Sequence, residues 1–370
     1  MKFVINKSDI RNVLAKVQGL TGRKTNLAIT ENILIEAIDG GIKIIATDLE
    51  TGFEGIYPAT VESKGLIAIN AKKLFEITRD FPAEEILLDE VENRWIQIGN
   101  QNIEYHIVGM NPEDFPDSPR IEDIDFFEMD SAALKRMIEK TVIVSGAPDD
   151  KRAHINGVYF ESVSGDEQNC FRIVSTDGSR LSTVDYPYEG DMPTIEGVII
   201  PKKGLHEALK FLNNDGAVQI GLKDNHFIIN KQSETITIRL LEGDFPKYQD
   251  IVKKNDGHQI QMDRQLFLMM LRRMSILSTE NYKGVVFNFS SNKLLVTATN
   301  PDIGESKEEM EVDFDGEVIE AAFNPKFVID ALNVVDDNTA VLHIINGERP
   351  CLIEGAEDKS YLSVVMPMRI

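Results

Sequence analysis

Four sets of short motifs recur along the 370 residues, in one order and at nearly one spacing. An apolar strand running into a base-bearing helical stretch appears at 3–10, 127–134 and 260–266, with Asn6, Asp130 and Asp263 where a helix N-cap belongs. Ala46-Thr47-Asp48 returns as Ser175-Thr176-Asp177 and as Ala298-Thr299-Asn300, each closing a β-like run. A second helix start reads Ile69-Asn70-Ala71-Lys72, then Ile200-Pro201-Lys202-Lys203, then Phe323-Asn324-Pro325-Lys326. Asp114-Phe115-Pro116 matches Asp244-Phe245-Pro246, and Val365-Met366-Pro367 stands in the corresponding place at the end. Thr47 and Thr176 are 129 residues apart and Thr176 and Thr299 are 123 apart, so the period is the size of a domain.

Within each copy the pattern reads strand, helix, several strands, helix, several strands. Period-two alternation and β-branched content mark the strands, as in Ile33-Leu34-Ile35-Glu36-Ala37 and Glu234-Thr235-Ile236-Thr237-Ile238. Turn signals such as Asp39-Gly40-Gly41 and Ser290-Ser291-Asn292 separate neighbouring strands. The fold class expected is α+β: three copies of one unit, each with two helices packed on antiparallel sheets. The joins fall in the polar stretches 117–125 and 247–257, which predicts domains at 1–125, 126–256 and 257–370. Trp95, inside an alternating strand, is expected in the core.

The formal net charge is −22, which by itself argues against a polyanionic partner, because phosphate contacts need Lys and Arg. Its distribution reverses that inference. The repeat sets six helical windows, 7–17, 70–79, 130–141, 202–210, 263–273 and 324–333. They hold sixteen basic residues against seven acidic ones, a net +9, so the rest of the chain carries −31. Glu forms helices as well as Lys, so helices that only needed a solvated face would carry comparable Glu. A positive surface built from helices of every repeat suits sequence-independent contact with a nucleic-acid backbone, and the acidic remainder repels it elsewhere. The contact residues expected on the helices are Lys7, Arg11, Lys72, Lys73, Arg79, Lys135, Arg136, Lys140, Lys202, Lys203, Arg264 and Arg272.

Catalytic chemistry finds little support. Gly19-Leu20-Thr21-Gly22-Arg23-Lys24-Thr25 has Arg23 where a phosphate-binding loop needs the start of Gly-Lys-Thr. The six histidines lack metal-ligand spacing, and Ser179 lacks the second glycine of a nucleophile elbow. No metal or cofactor is called for. The alternative is a metal-dependent phosphodiester hydrolase, which needs converging carboxylates, whereas the recurring positions are mostly Lys, Thr, Phe and Pro. Two cysteines, no long apolar run and no signal-peptide pattern point to a cytoplasmic protein without a membrane partner.

Taken together, the start Met1-Lys2-Phe3, Thr47-Asp48-Leu49-Glu50, Asn156-Gly157, Thr176-Asp177-Gly178-Ser179-Arg180-Leu181, Phe245-Pro246-Lys247-Tyr248 and the ending Met366-Pro367-Met368-Arg369 resemble the bacterial β sliding clamp family. The likeness covers essentially the whole chain. It implies a ring-forming head-to-tail homodimer of DNA-clamp domains around double-stranded DNA, with helices lining the hole. In that ring Ile276 and Leu277 would pack on Tyr105 and Ile107 of the other copy, and Lys73 would face Glu305, Glu308 and Glu309. Arg23 and Lys24 would form a basic loop beside the hole, with Arg152 and His154 as further DNA contacts; Asp149 and Asp150 on that loop oppose binding. The resemblance also implies a peptide groove formed by Ile155, Thr176, Gly178, Ser179, Arg180, Leu181, Pro246, Asp250, Ile251, Val364, Val365, Met366, Pro367, Met368 and Arg369. Its occupants would be short motifs of the DNA polymerase III alpha subunit, the clamp-loader delta subunit, other DNA polymerases and mismatch-repair proteins. Met and β-branched side chains suit such an adaptable floor. Asp250 stands where the best-known relatives carry Arg, and Pro350 replaces a small polar residue.

Overall fold

The computed structural model describes the chain from Met1 to Arg369 apart from residues 23–26, 117–122, 145, 147–149, 166–167, 255–256 and 280–282. The helices among the described residues are α1 (Lys7–Thr21), α2 (Ala71–Asp80), α3 (Ser131–Val142), the single turn α4 (Ala153–Asn156), α5 (Lys202–Ala208), α6 (Arg264–Met274) and α7 (Pro325–Val334). Apart from α4, these are the six helices expected from the repeat. Their starts follow from local chemistry. The side chains of Asn6, Asn70, Asp130, Asp263 and Asn324 each accept a hydrogen bond from a backbone N–H of the first turn, at 2.7–3.0 Å. Pro201 offers no such acceptor, and α5 is the shortest of the six.

The chain divides into two compact units, Met1–Lys135 with Ile200–Leu240 and Arg136–Ile199 with Leu241–Ile370. Sheets, rather than repeats, set this division. In the first unit an eight-stranded sheet joins strands of two repeats where Thr51–Pro58 pairs antiparallel with Glu234–Arg239, Phe53 opposite Ile236. In the second unit the same construction recurs where Arg180–Pro187 pairs with Tyr361–Val365, Leu181 opposite Val364. Each unit adds a smaller sheet, of five strands in the first and four in the second.

Helical spacing explains how the helices cover these sheets. In α1, Ile10, Val13, Leu14, Val17 and Leu20 form one buried stripe, which packs on α2 and α5. In α6, Phe267, Leu268, Met270, Leu271 and Met274 enter a core with Phe287, Phe289, Leu294 and Phe323. Each such side chain stabilises the fold by roughly 1.5–3 kcal/mol. Trp95 corrects an expectation. Ile96 and Ile98 of the strand Trp95–Gly99 take the core face, so alternation turns Trp95 outward, 43% exposed and edge-on to His106 at 6.5 Å.

Candidate peptide groove and nucleic-acid interface

The repeated Thr-Asp motif is a turn that satisfies its own backbone. Asp177 Oδ1 accepts from the N–H groups of Ser179 (2.9 Å) and Arg180 (3.0 Å), and Thr176 donates its hydroxyl to the Arg180 carbonyl at 2.8 Å. Gly178 sits at φ +89°, a conformation that favours glycine. The turn presents Arg180 inward. Its guanidinium lies 3.0 Å from Asp177 and 2.6 Å from Asp330 of α7, and 4.4 Å above the Phe327 ring, with only 6% of the residue exposed. Arg180 therefore ties the turn to α7 rather than offering a charge to solvent.

The C-terminal segment is fixed against this turn. Met366 N–H donates to the Ser179 carbonyl at 2.9 Å, and Met368 N–H to the Ala322 carbonyl at 2.7 Å. Below lies an apolar cluster of Val174, Leu181, Tyr248, Leu352, Leu362 and Val364, with Phe245, Tyr159 and Val252 packed on it. Tyr248 reaches it with its hydroxyl donating to Glu161. Gly178, Ser179, Pro246, Ile251, Met366 and Arg369 remain exposed, and Pro367 and Met368 are half-buried. Ile155, Thr176, Leu181 and Val364 are buried beneath this surface. Val365 departs from the expectation: alternation sends it to the opposite face of the strand, into the core around α6, so it cannot be floor. Asp250 is exposed beside Lys253 at 2.6 Å, which holds its carboxyl below the usual range.

The helical cations divide into two groups. Arg11, Lys72 and Arg136 are exposed, with no ion pair among the described residues. Lys73 and Arg79 are exposed and salt-bridged to Glu76 and Asp80, at 2.9 Å each. Arg272 is exposed with a bond to Asn333, and Lys135 is half-buried beside Asn214. Lys7 donates to the Phe81 carbonyl and Arg264 to the Asp337 and Leu332 carbonyls, so part of their donor capacity is used on the chain itself. Lys203 binds Asp48 (2.7 Å) and Glu50 (2.9 Å). Two expected contacts are corrected. Lys140, 7% exposed, lies between Asp336 (2.8 Å) and Asp358 (3.2 Å), and Lys202 is buried at 8%. An ammonium neutralised inside the fold has no phosphate to meet. Arg152 grips Asp150 through two contacts of 2.6 and 3.0 Å, pushing that carboxyl down to about 2. His154 is half-buried against Phe245. Arg23, Lys24 and Asp149 lie outside the described residues.

The residues expected at a dimer contact sit on sheet edges. Glu104–Val108 is the edge of the five-stranded sheet, with Tyr105 and Val108 exposed and Ile107 half-buried. Gly304–Glu311 is an edge of the four-stranded sheet, with Glu305 and Glu309 exposed. Glu308 is already bound by Arg273, and Glu309 by Lys293. Ile276, at 74%, is the most exposed large apolar residue among those described, while Leu277 packs partly on the core. Sequence reasoning missed Trp95 and Val108 on the first edge, because alternation gives a period but not which phase faces out.

Three family models describe this sequence: the DNA polymerase III beta subunit N-terminal domain over residues 1–119, its central domain over 128–247 and its C-terminal domain over 249–369. The chain belongs to the DNA polymerase III beta subunit family. It is 30% identical to the beta sliding clamp of Salmonella typhimurium over 376 residues, covering all of both chains. The crystal structure of the DNA polymerase III subunit beta from Pseudomonas aeruginosa superposes with a TM-score of 0.93 at 27% identity, and Caulobacter crescentus pol III beta with 0.93 at 25%, each covering both chains completely. The chain is thus a non-catalytic DNA sliding clamp, a processivity factor built from three clamp domains, and the hydrolase alternative falls. None of the described helices is long and apolar enough to cross a membrane.

Proposed function

We propose that two copies of this chain close head to tail into a ring around double-stranded DNA, in the cytoplasm, with the repeats acting as domains 1–125, 126–256 and 257–370. The observation that carries this reading is the unlike character of two unpaired sheet edges. Glu104–Val108 exposes Tyr105 and Val108, whereas Gly304–Glu311 exposes carboxylates. Such edges complete each other better than themselves, which favours a heterologous contact, and two half-rings meeting twice close it. Ile276 and Leu277 then cover Tyr105 and Ile107 of the second copy. Arg11, Lys72 and Arg136, with Lys73, Arg79 and Arg272, support backbone contact loose enough to slide. Retention depends on closure, and the groove around Met366 and Ile251 raises the effective concentration of its occupants at the DNA. These occupants are short segments of the polymerase alpha subunit, the clamp-loader delta subunit, other polymerases and mismatch-repair proteins.

The test loads the protein onto nicked circular DNA with a clamp loader and then linearises the DNA. Loss on linearisation alone is expected; equal retention on both forms would sink the ring. Ile276→Asp with Leu277→Asp removes two apolar anchors of about 1.5–3 kcal/mol each. The pair should weaken the dimer on the order of 100-fold or more by sedimentation.

A further inference from the structure

Next to the groove, within the second unit, lies a cavity of about 240 Å³ whose walls include Ile251, Ile345, Pro350 and Leu352. Asp250 and Arg349 also line it, and both are exposed. Its one buried polar wall is His343, 6% exposed. Leu342 and Ile344, its neighbours in the strand Thr339–Ile344, point into the α6 core, so alternation puts His343 on the other face.

The ring's hydrogen bonding is half spent. Nε2 lies 2.9 Å from Glu354 Oε1, a carboxylate that also meets Lys359 at 2.9 Å and Lys254 at 2.6 Å. Burial alone would raise the Glu354 pKa, but Lys254, Lys359 and His343 together hold it below the usual range. An ionised carboxylate only accepts, so Nε2 carries the proton and the neutral ring keeps a lone pair on Nδ1. Nδ1 is buried and has no hydrogen-bond partner among the described residues. A buried acceptor left in that state costs about 1–3 kcal/mol, so the site calls for a donor.

The walls decide which donor. A water fills only about 30 Å³ and leaves the apolar walls uncovered, whereas an apolar cavity of roughly 150 Å³ already takes a benzene ring. A carboxylate brings no proton for Nδ1, and an ammonium would be stripped of water against isoleucine and proline. A phenol answers both demands, with an apolar body and one donor at its tip.

We infer that this cavity is a side pocket of the groove that takes the tyrosine side chain of a partner segment, its hydroxyl donating to His343 Nδ1 and its ring packed on Ile251, Ile345, Pro350 and Leu352. The inference rests on the groove reading, since Asp250 and Ile251 belong to both.

The test titrates the full chain with p-cresol, which is the tyrosine side chain cut at its β-carbon, and with toluene, following the His343 imidazole nitrogens by NMR. The expected result is about tenfold tighter binding of p-cresol, the value of one hydrogen bond, with Nδ1 shifting for p-cresol alone. In His343→Leu the preference should vanish while toluene still binds, and Ile345→Trp, which fills the cavity from an exposed wall, should block both. Equal affinities, or a preference that survives His343→Leu, would overturn the pocket's chemistry. Should His343→Leu not fold, the Nδ1 shift of the unaltered chain decides. A bound polymerase subunit should exclude p-cresol, and p-cresol retained beside it would overturn the assignment to a partner. Failure of the polymerase to bind at all counts against the groove reading, while the p-cresol preference stands or falls separately.

Discussion

Two turns of the same ancestry have become different devices. In the first repeat Asp48 Oδ1 accepts from the N–H groups of Glu50 and Thr51, as Asp177 Oδ1 does from Ser179 and Arg180 in the second. Thr47 donates its hydroxyl to the Thr51 carbonyl as Thr176 does to Arg180. Yet the first turn sends its free carboxylate oxygen to Lys203 at the start of α5, and holds Leu49 at φ +76°. The second places Gly178 there and binds Arg180, which reaches on to Asp330 and Phe327 of α7. The third turn has Asn300, whose amide donates to the Leu277 carbonyl. One backbone frame thus serves three jobs, chosen by which side chain stands beside it. Only the second turn also carries the C-terminal segment, through the Ser179 carbonyl.

The largest way to break this contrast is Arg180→Met, which strands Asp177 and Asp330 and should cost about 3–5 kcal/mol in urea unfolding, with loss of partner capture. Lys203→Met should cost less, because its ammonium is partly solvated and its pairing is correspondingly weaker. Deleting Met366–Ile370 should come next: polymerase stimulation abolished, the dimer intact by sedimentation. A monomeric deletion product would contradict the groove placement of the tail. The smallest effects come from exchanging the residues at positive φ. Gly178→Ala should destabilise by about 1–2 kcal/mol, and Leu49→Gly should leave stability unchanged or raise it by up to about 1 kcal/mol. Thermal unfolding of the two variants checks the opposite signs, and a shared sign would mean that the turns differ by more than their wiring.

Much of this architecture was legible from residues in a row. The caps at Asn6, Asn70, Asp130, Asp263 and Asn324 act within three positions of themselves, so their chemistry could be read directly. The Thr-Asp turns are equally local. Pro201 shows the limit of the same rule, since it marks a helix start without supplying an acceptor. The candidate groove was reachable only in part, because its surface depends on Met366 lying against Ser179, and its side pocket on His343 facing away from Leu342 and Ile344.

Charge shows most clearly where sequence ends and tertiary structure begins. By itself the sequence determined that bases gather on six helices in an otherwise acidic chain, because helix periodicity and capping are short-range. Which of those bases are available was decided only by the fold. Lys140 meets Asp358 and Lys16 meets Glu234, each across 218 positions, and nothing local announces either partner. Trp95 and Val365 turned to unexpected faces for a related reason: alternation is written in the strand, but its phase is set by the sheets and helices packed against it.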